Sequence, residues 1–213
     1  MSTKVVVRRG ARRPRRRPRR RSCLARLIMP LCLIALMAVG GYYILNFPKD
    51  VVNTYPLKYE NIIDQYAREY DLDPARVAAV IYCESSFVAD AVSSAGARGL
   101  MQIMPETGAW IAQKLDEADA YTDERLFDPE TNIRYGCWYL NYLNGRFDGD
   151  ITKVTAAYHA GGGSVDKWLK DAENSSDGVT LESIPSEVTG RYVRHVKNAY
   201  KKYKELYTDD AQT

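Results

Sequence analysis

The sequence predicts an all-α globular domain preceded by one N-terminal transmembrane helix. Apolar residues recur at helical spacing through most of the C-terminal part, for example at Ile62, Ile63, Tyr66, Ala67 and Tyr70. We find no segment with the apolar-polar alternation of a half-buried strand. Near the N-terminus a long uncharged stretch, residues 27–47, follows a run of arginines. Together these three observations define the fold class.

The net charge of +3 conceals two segments of opposite character. Residues 1–46 contain Lys4 and eleven arginines but no acidic residue. The remaining residues hold the other 18 basic residues and all 27 acidic ones, so that part is net negative. An arginine run can neutralise phosphates, which makes a nucleic-acid-binding arm an alternative. The stretch that follows favours the membrane instead, and we expect no nucleic-acid partner.

Residues 27–47 form an uncharged segment of 21 residues. A helix of this length, at about 1.5 Å per residue, crosses a hydrocarbon core of about 30 Å. Arginines on its N-terminal side keep that end cytoplasmic by the positive-inside rule. We therefore predict a cytoplasmic Arg-rich segment at 1–26, a single-pass signal anchor at 27–47 in the cell membrane, and an extracytoplasmic domain at 48–213.

Small residues inside the span leave cleavage as an alternative to a retained anchor. Ala38, Gly40 and Gly41 resemble the small-residue pattern of a signal peptidase site. The apolar stretch is long for a cleaved signal peptide, which favours retention.

The helices of the domain can be placed from their start and stop signals. Asp73 before Pro74, Pro105 before Glu106 and Asp128 before Pro129 each indicate a helix N-terminus. The triplet Gly161 to Gly163 is expected to close one helix and turn sharply before Ser164 caps the next. The predicted helices are 58–70, 74–85, 105–115, 129–145, 151–159, 164–171 and 189–207.

Glu84 is the first residue that indicates chemistry. It follows the apolar run 77–81 near the end of a predicted helix. A carboxyl group packed against core side chains has a raised pKa, which suits a general acid that protonates a leaving glycosidic oxygen. From its position alone, an exposed glutamate at a helix end remains an alternative.

Five ordered segments resemble the motifs of the family 1 lytic transglycosylases, the catalytic domain of soluble lytic murein transglycosylase. They are ESSF at 84–87, SSAGARGLMQIMP at 93–105, the Asn, Gly and Tyr-Leu positions of 132–140, AAYHAG at 156–161, and the Ile-Pro and Tyr-Val ends of 184–193. The resemblance extends from about residue 59 to residue 207. It implies a lysozyme-like fold of the goose type in which these motifs line one cleft.

The resemblance implies a role for each matching residue. Glu84 becomes the catalytic acid and base, and the substrate-binding positions fall on Ser93, Gln102, Met104, Tyr139, Tyr158, His159 and Glu187. Met104 and Tyr139 also have a structural alternative, because thioether and aromatic side chains usually belong to the core. An amide such as Gln102 in an apolar segment would cost free energy if buried without partners.

Two positions depart from the family pattern. His159 stands where the family usually has Asn, which introduces a group that titrates near neutral pH. Alignment from Ile184 and Pro185 puts the family glutamate position on Val188, one residue after Glu187. Glu187 is therefore either a cleft carboxylate or an acidic residue favoured at a helix N-terminus. We find no cluster of Cys and His at zinc spacing, so no metal or other cofactor is expected.

The resemblance also implies the reaction. A single carboxylate, Glu84, would protonate the oxygen between MurNAc and GlcNAc and then deprotonate the MurNAc 6-hydroxyl, which attacks the anomeric carbon and yields 1,6-anhydro-MurNAc. The expected partners are peptidoglycan glycan strands and the cytoplasmic membrane. Two alternatives stay open: a goose-type muramidase that hydrolyses the same bond, with Asp90 as a candidate base, and a non-catalytic glycan-binding scaffold.

Two cysteines of the domain are candidates for a disulfide bond. In the fold that the resemblance implies, the helices carrying Cys83 and Cys137 pack together, and disulfides persist in exported domains. The alternative is a pair of buried thiols that act as small apolar residues.

Overall fold

The computed structural model describes residues 55–210 and the side chains up to residue 207. This part of the chain folds into seven α-helices, as predicted. The predicted segments 1–26 and 27–47 lie outside the described residues, and no helix within 55–210 has the length and apolar character needed to cross a bilayer. The helices are α1 (Glu60–Glu69), α2 (Pro74–Ser85), α3 (Pro105–Lys114), α4 (Pro129–Arg146), α5 (Ile151–Ala160), α6 (Gly162–Leu169) and α7 (Glu187–Asp210).

The helix N-termini form where the sequence predicts them. An Asp73 carboxylate oxygen accepts a 2.9 Å hydrogen bond from the Ala75 backbone and caps α2. Asp128 does the same for α4, since its side chain accepts from the Thr131 backbone at 2.8 Å. In both helices proline occupies the first turn, where its missing N–H costs nothing.

The turn between α5 and α6 is tighter than predicted, and the prediction that Ser164 caps the second helix is wrong. Gly161, at a φ of 82°, makes the whole turn, so α6 already begins at Gly162. The Ser164 hydroxyl instead donates back to the carbonyl of Ala160 at 2.8 Å. Two short 3₁₀ helices, Ala118–Ala120 and Asp123–Phe127, were also not predicted.

The core is built around α2. Its residues from Ala75 to Ile81 are all buried, and its most extensive packing is against α7. The buried apolar positions of α7 follow a three-to-four-residue spacing that gives one apolar face; they are Val193, Val196, Ala199 and Tyr203. α2 and α7 pack along their length. The side-chain contacts described below show that the end of α2, which carries Glu84, lies against the start of α7.

The loop between α2 and α3 is held in place by Asn132, a fully buried residue of α4. Its Oδ1 accepts from the Met101 backbone at 2.7 Å, and its Nδ2 donates to the carbonyls of Arg98 at 3.0 Å and Leu126 at 2.6 Å. Within the described residues this loop forms only isolated bridges at Arg98 rather than a strand. The Asn132 amide thus fixes the loop through backbone groups that would otherwise be buried without partners.

Gly99 allows this close approach. A Cβ atom at residue 99 would lie 2.1 Å from the Leu126 carbonyl oxygen and 2.3 Å from Asn132 Nδ2. Its φ of 77° also belongs to the left-handed region that favours glycine.

The predicted disulfide between Cys83 and Cys137 does not form, because both residues carry free thiols. The expected packing of α2 against α4 is not found: α2 packs on α7 and α1, and α4 on α5 and α1. Cys83 lies towards α7, where its charge would raise the pKa values of Tyr192 and Tyr203. Cys137 is fully buried on α4 and lies towards Tyr158 of α5. The pKa of the Cys83 thiol is raised by burial to about 12, so it behaves as a neutral side chain.

Candidate active site

Glu84 lies in the last turn of α2, and the chain reverses immediately after it. Ser86 and Phe87 both have positive φ values, 52° and 63°, which end the helix, and Phe87 is buried beneath the turn. The Ser85 hydroxyl donates to the Leu100 carbonyl at 2.8 Å. The end of α2 is therefore tied to the loop that Asn132 holds, which fixes the backbone that carries Glu84.

The Glu84 carboxyl group titrates far from its usual range. Burial raises its pKa from 4.5 to about 7, although part of the side chain remains in contact with solvent. A hydrogen bond opposes this shift: the Tyr192 hydroxyl donates to Oε1 of Glu84 at 2.6 Å and lowers the pKa. At neutral pH both the protonated and the ionised forms are populated, which suits a group that must donate and accept a proton.

A cleft, which we call the main pocket, has a volume of about 190 Å³. The side chains around it come from the α2–α3 loop and from α3, α4 and α5. They are Gln102, Ile103, Met104, Thr107, Tyr139, Tyr158, His159 and Gly161. Five of the predicted substrate-binding residues are thus brought together here, although Glu84 is not among the lining residues.

Tyr158 connects Glu84 with the main pocket. Burial raises the pKa of Tyr158, and the nearby Glu84 carboxylate raises it further. The Tyr158 hydroxyl donates to the Met101 carbonyl at 2.8 Å, and its ring lies 5.5 Å from that of Tyr139. A ligand in the main pocket would therefore contact the aromatic wall that borders the Glu84 carboxyl group.

Gln102 and Met104 approach the main pocket from the α2–α3 loop. The Gln102 Nε2 donates to the carbonyls of Ala91 at 3.1 Å and Gly99 at 2.9 Å, so the amide nitrogen braces the loop. Met104 is 38% exposed, which argues against the alternative that it is a core residue. Tyr139 is only half-buried and also faces the pocket.

His159 joins the main pocket to α7. Its Nδ1 lies 3.2 Å from the Thr189 hydroxyl, and its ring lies 4.6 Å from that of Tyr192. Partial desolvation lowers the pKa of His159, although much of its side chain is exposed, so the neutral imidazole is favoured near neutral pH.

Ser93 and Glu187 do not line the main pocket. The Ser93 hydroxyl oxygen accepts from the Ala97 backbone at 3.0 Å and shapes the loop. Glu187 is exposed in the first turn of α7, which fits the alternative of an acidic residue at a helix N-terminus. Val188, at the family glutamate position, is also exposed, at 56%. Among the described residues no group of His, Cys, Asp and Glu is arranged to hold a metal ion.

Sequence reasoning missed Tyr192 and Thr189 as site residues. Both lie in the fifth motif, and Thr189 is buried where α7 begins. The available signal was spacing: Tyr192 precedes Val196 by one helical turn on the buried face of α7. That pattern predicts burial but not a partner more than one hundred residues earlier in the chain.

Comparison with known proteins shows to which family the chain belongs. The family model for the transglycosylase SLT domain matches residues 61–179, more than half of the chain. The chain belongs to the transglycosylase SLT domain family. Tyr192 and the rest of α7 lie beyond the matched segment.

Individual relatives agree with the family. A soluble lytic murein transglycosylase of Salmonella typhimurium is 36% identical over 143 residues, which are 67% of this chain and 22% of that protein. A membrane-bound lytic murein transglycosylase C of Cronobacter sakazakii is 32% identical over 167 residues, covering 69% of this chain and 46% of the relative. This chain thus spans less than half the length of these relatives.

The fold is shared with a solved structure. The lytic transglycosylase Slt of Pseudomonas aeruginosa, crystallised as an inactive mutant with a glutamate replaced by glutamine, superposes with a TM-score of 0.67 at 32% identity. The match covers 76% of this chain and 26% of that protein. The helical domain therefore has the lysozyme-like fold of the lytic transglycosylases, as the sequence predicted.

Proposed function

We propose that the chain is a peptidoglycan lytic transglycosylase in which Glu84 is the single general acid and base. The observation that carries the proposal is the state of Glu84: a carboxyl group with a pKa of about 7 that holds a hydrogen bond from Tyr192 beside an aromatic pocket. The relatives named above as lytic murein transglycosylases support the same activity.

The proposed reaction needs one carboxylate because the substrate supplies the nucleophile. Protonated Glu84 donates its proton to the oxygen that links MurNAc to GlcNAc, and the glycosidic bond breaks. The resulting carboxylate then removes the proton from the MurNAc 6-hydroxyl, whose oxygen attacks the anomeric carbon. The products are a free GlcNAc hydroxyl and a 1,6-anhydro-MurNAc end, and Glu84 is protonated again. No water or cofactor is consumed.

The surroundings of Glu84 favour this route over hydrolysis. Hydrolysing enzymes place a second carboxylate about 5 to 10 Å from the first, as nucleophile or base. Burial and the Tyr192 hydrogen bond account for the shifted pKa of Glu84 without a second carboxylate, and none lines the main pocket within the described part of the chain. Asp90, the candidate base for a muramidase, is exposed and is not a pocket residue.

The neighbours of Glu84 have supporting roles in this proposal. Tyr192 orients the carboxyl group through Oε1 and moderates its pKa. The sugar beside the scissile bond packs against a wall formed by His159, Tyr158 and Tyr139. The side-chain oxygen of Gln102 accepts a hydrogen bond from a sugar hydroxyl. Ser93 acts through the shape of the loop, and Glu187 remains outside the main pocket.

We further propose that residues 27–47 anchor the enzyme in the cytoplasmic membrane, with residues 48–213 on the outer side. The support is the uncharged 21-residue segment behind eleven arginines. The name of the Cronobacter sakazakii relative, a membrane-bound transglycosylase, agrees with such an arrangement.

The mass of the released product tests the activity. The chain of residues 1–213 is incubated in detergent with purified sacculi, and the muropeptides are analysed by mass spectrometry. We expect ends that are one water lighter than hydrolysed ends, since an anhydro bond replaces the reducing hydroxyl. Hydrolysed ends would identify a muramidase, and the absence of any product from a chain that binds the glycan would identify a scaffold; either result overturns the proposal.

A further inference from the structure

The middle of α7 carries a charge that the rest of the domain does not share. Between residues 191 and 204 it has six basic residues and no acidic one, whereas the rest of residues 47–213 holds 12 basic and 27 acidic residues. The six side chains are all exposed, on the side of α7 away from its buried apolar positions. We call this surface the basic face; it consists of Arg191, Arg194, Lys197, Lys201, Lys202 and Lys204.

The domain neutralises little of the charge on the basic face. Lys202 pairs with Glu205 of the same helix at 3.0 Å, and an exposed pair of this kind contributes little. No ion pair involves Arg191, Arg194 or Lys201 within the part of the chain that the structure describes. Like charges placed this close on one helix repel each other, so the basic face lowers stability unless an anion covers it.

The helix dipole does not account for the basic face. A helix C-terminus stabilises cations only within about its last turn, and the last turn of α7 has no basic residue. Arg191 and Arg194 lie nearer the N-terminal end, where the dipole does not favour a positive charge. A helix face that only needs to be solvated usually mixes both signs of charge, and this one carries a single sign. The basic face is therefore suited to an anionic partner.

The start of the domain lies against α7. The Tyr203 hydroxyl donates to the Pro56 carbonyl at 2.7 Å, and the Tyr55 ring lies 5.7 Å from the Tyr203 ring. Only residues 48–54 separate this contact from the anchor proposed at 27–47. Seven residues cover at most about 25 Å, even when they are fully extended. The surface of the membrane that holds the proposed anchor is therefore within reach of α7.

We propose that the basic face of α7 binds the anionic lipid headgroups of the membrane in which the chain is anchored. The headgroup phosphates form a negative surface, and each Lys or Arg held near it strengthens binding by about fivefold. Such a surface requires no pocket, which agrees with cations spread along several turns of one helix. No residue of α7 lines the main pocket, so docking through α7 engages none of its residues. This inference rests on the proposed anchor and not on the proposed reaction.

Amine labelling measures whether lipid covers the basic face. The chain of residues 1–213 is reconstituted into vesicles of phosphatidylglycerol and phosphatidylcholine, or of phosphatidylcholine alone, and treated with a membrane-impermeant amine reagent. Mass spectrometry compares Lys201 with Lys114, an exposed lysine of α3. Labelling of Lys201 relative to Lys114 should fall by about fivefold in the anionic vesicles. The difference should disappear at high salt, which screens the attraction.

Charge reversal tests the same surface with Lys201 as the reporter. A variant with Arg191→Glu and Arg194→Glu should label Lys201 nearly equally in the two kinds of vesicle. The matched control carries Lys167→Glu and Lys170→Glu, two exposed lysines outside α7, and undergoes the same change in net charge. It should keep the protection of Lys201. Thermal unfolding of both variants confirms that the fold is retained.

Three results would overturn the proposal. Equal labelling of Lys201 in both kinds of vesicle would show that lipid does not cover the basic face. Protection in both, unaffected by salt, would show a contact that does not depend on lipid charge. Protection that appears only when purified sacculi or DNA is added would assign the basic face to a wall polymer or to nucleic acid.

Failure of this inference is distinguishable from failure of the proposed function. Release of anhydro products from sacculi does not enter the labelling measurement. The proposed anchor is tested separately, because a chain that does not span the bilayer is removed from the vesicles by an alkaline wash. Loss in that wash would contradict the anchor, whereas the labelling of Lys201 before the wash tests the basic face alone.

Discussion

The Tyr192 hydroxyl donates a 2.6 Å hydrogen bond to Oε1 of Glu84, which joins the first turns of α7 to the last turn of α2. Burial raises the pKa of Glu84, and this bond is the opposing influence that keeps it near 7. The pKa of Glu84 therefore depends on a residue that is distant in the sequence but in direct contact with it.

Replacing Tyr192 by phenylalanine should shift the pH dependence of the reaction. Without the donor, the pKa of Glu84 rises further, so the protonated acid persists to higher pH. The alkaline limb of kcat/KM should move up by about one pH unit, the equivalent of about 1.4 kcal/mol. The measurement is anhydro-product release across pH.

Tyr200→Phe is the matched control for that shift. Tyr200 lies on the same helix and donates to Asp73 at 2.5 Å, at the opposite end of α2. The control should leave the alkaline limb in place. If Tyr192→Phe also leaves it unchanged, the Tyr192 bond does not tune the catalytic acid.

Glu84→Gln should strongly reduce turnover while making the domain more stable at high pH. The amide cannot transfer a proton, and we expect turnover to fall by about 10² to 10⁴. The folded protein holds the Glu84 proton more tightly than the unfolded chain between pH 4.5 and about 7, so wild-type stability falls as pH rises through this window. Glutamine does not ionise and avoids this loss, which amounts to at most about 3 kcal/mol.

Thermal unfolding at two pH values measures this effect. Above pH 7 the Glu84→Gln variant should melt several degrees higher than the wild type, and near pH 4.5 the difference should disappear. A constant difference at both pH values would contradict a raised pKa of Glu84 in the folded protein.

Gly99→Ala should cost more stability than Gly96→Ala, although both glycines have positive φ values, 77° and 90°. A Cβ atom at residue 96 meets nothing within 4 Å, so that variant carries only the backbone strain of about 1 to 2 kcal/mol. At residue 99 the Cβ would collide with Leu126 and Asn132, which adds a further 1 to 3 kcal/mol, roughly, of steric cost. Urea unfolding of both variants compares them; equal losses would show that the contact with Asn132 can relax.

The predicted membrane topology is tested with protease on intact spheroplasts. If residues 27–47 anchor the chain with the N-terminus inside, added protease should remove the domain at 48–213 before lysis. A cytoplasmic protein in the same cells is the control for intact membranes. Digestion of the domain only after lysis would place it on the inner side.

The sequence predicted the helices well because their signals are local. Asp73 and Asp128 cap the helices that follow them, and the apolar spacing of α2 and α7 marks faces that are buried in the structure. The turn at Gly161 was placed correctly, but its tightness depends on a φ of 82° that the glycine triplet alone does not specify.

The parts of the site that were missed depend on contacts between distant segments. The partner of Glu84 follows it by 108 residues, and no local pattern connects Tyr192 with it. The disulfide prediction failed for the same reason, since it assumed that α2 and α4 pack against each other, whereas they share few contacts.

The packing of α2 against α7 has a consequence for biosynthesis. A ribosome completes α2 long before it reaches α7, so during translation the apolar face of α2 lacks its main partner. The pairing of such distant segments requires closure of a long loop, which slows folding and leaves apolar surface open to chaperones and proteases. Glu84 would thus gain the hydrogen bond from Tyr192 only once α7 is in place, and a chain interrupted before Glu187 would lack this donor.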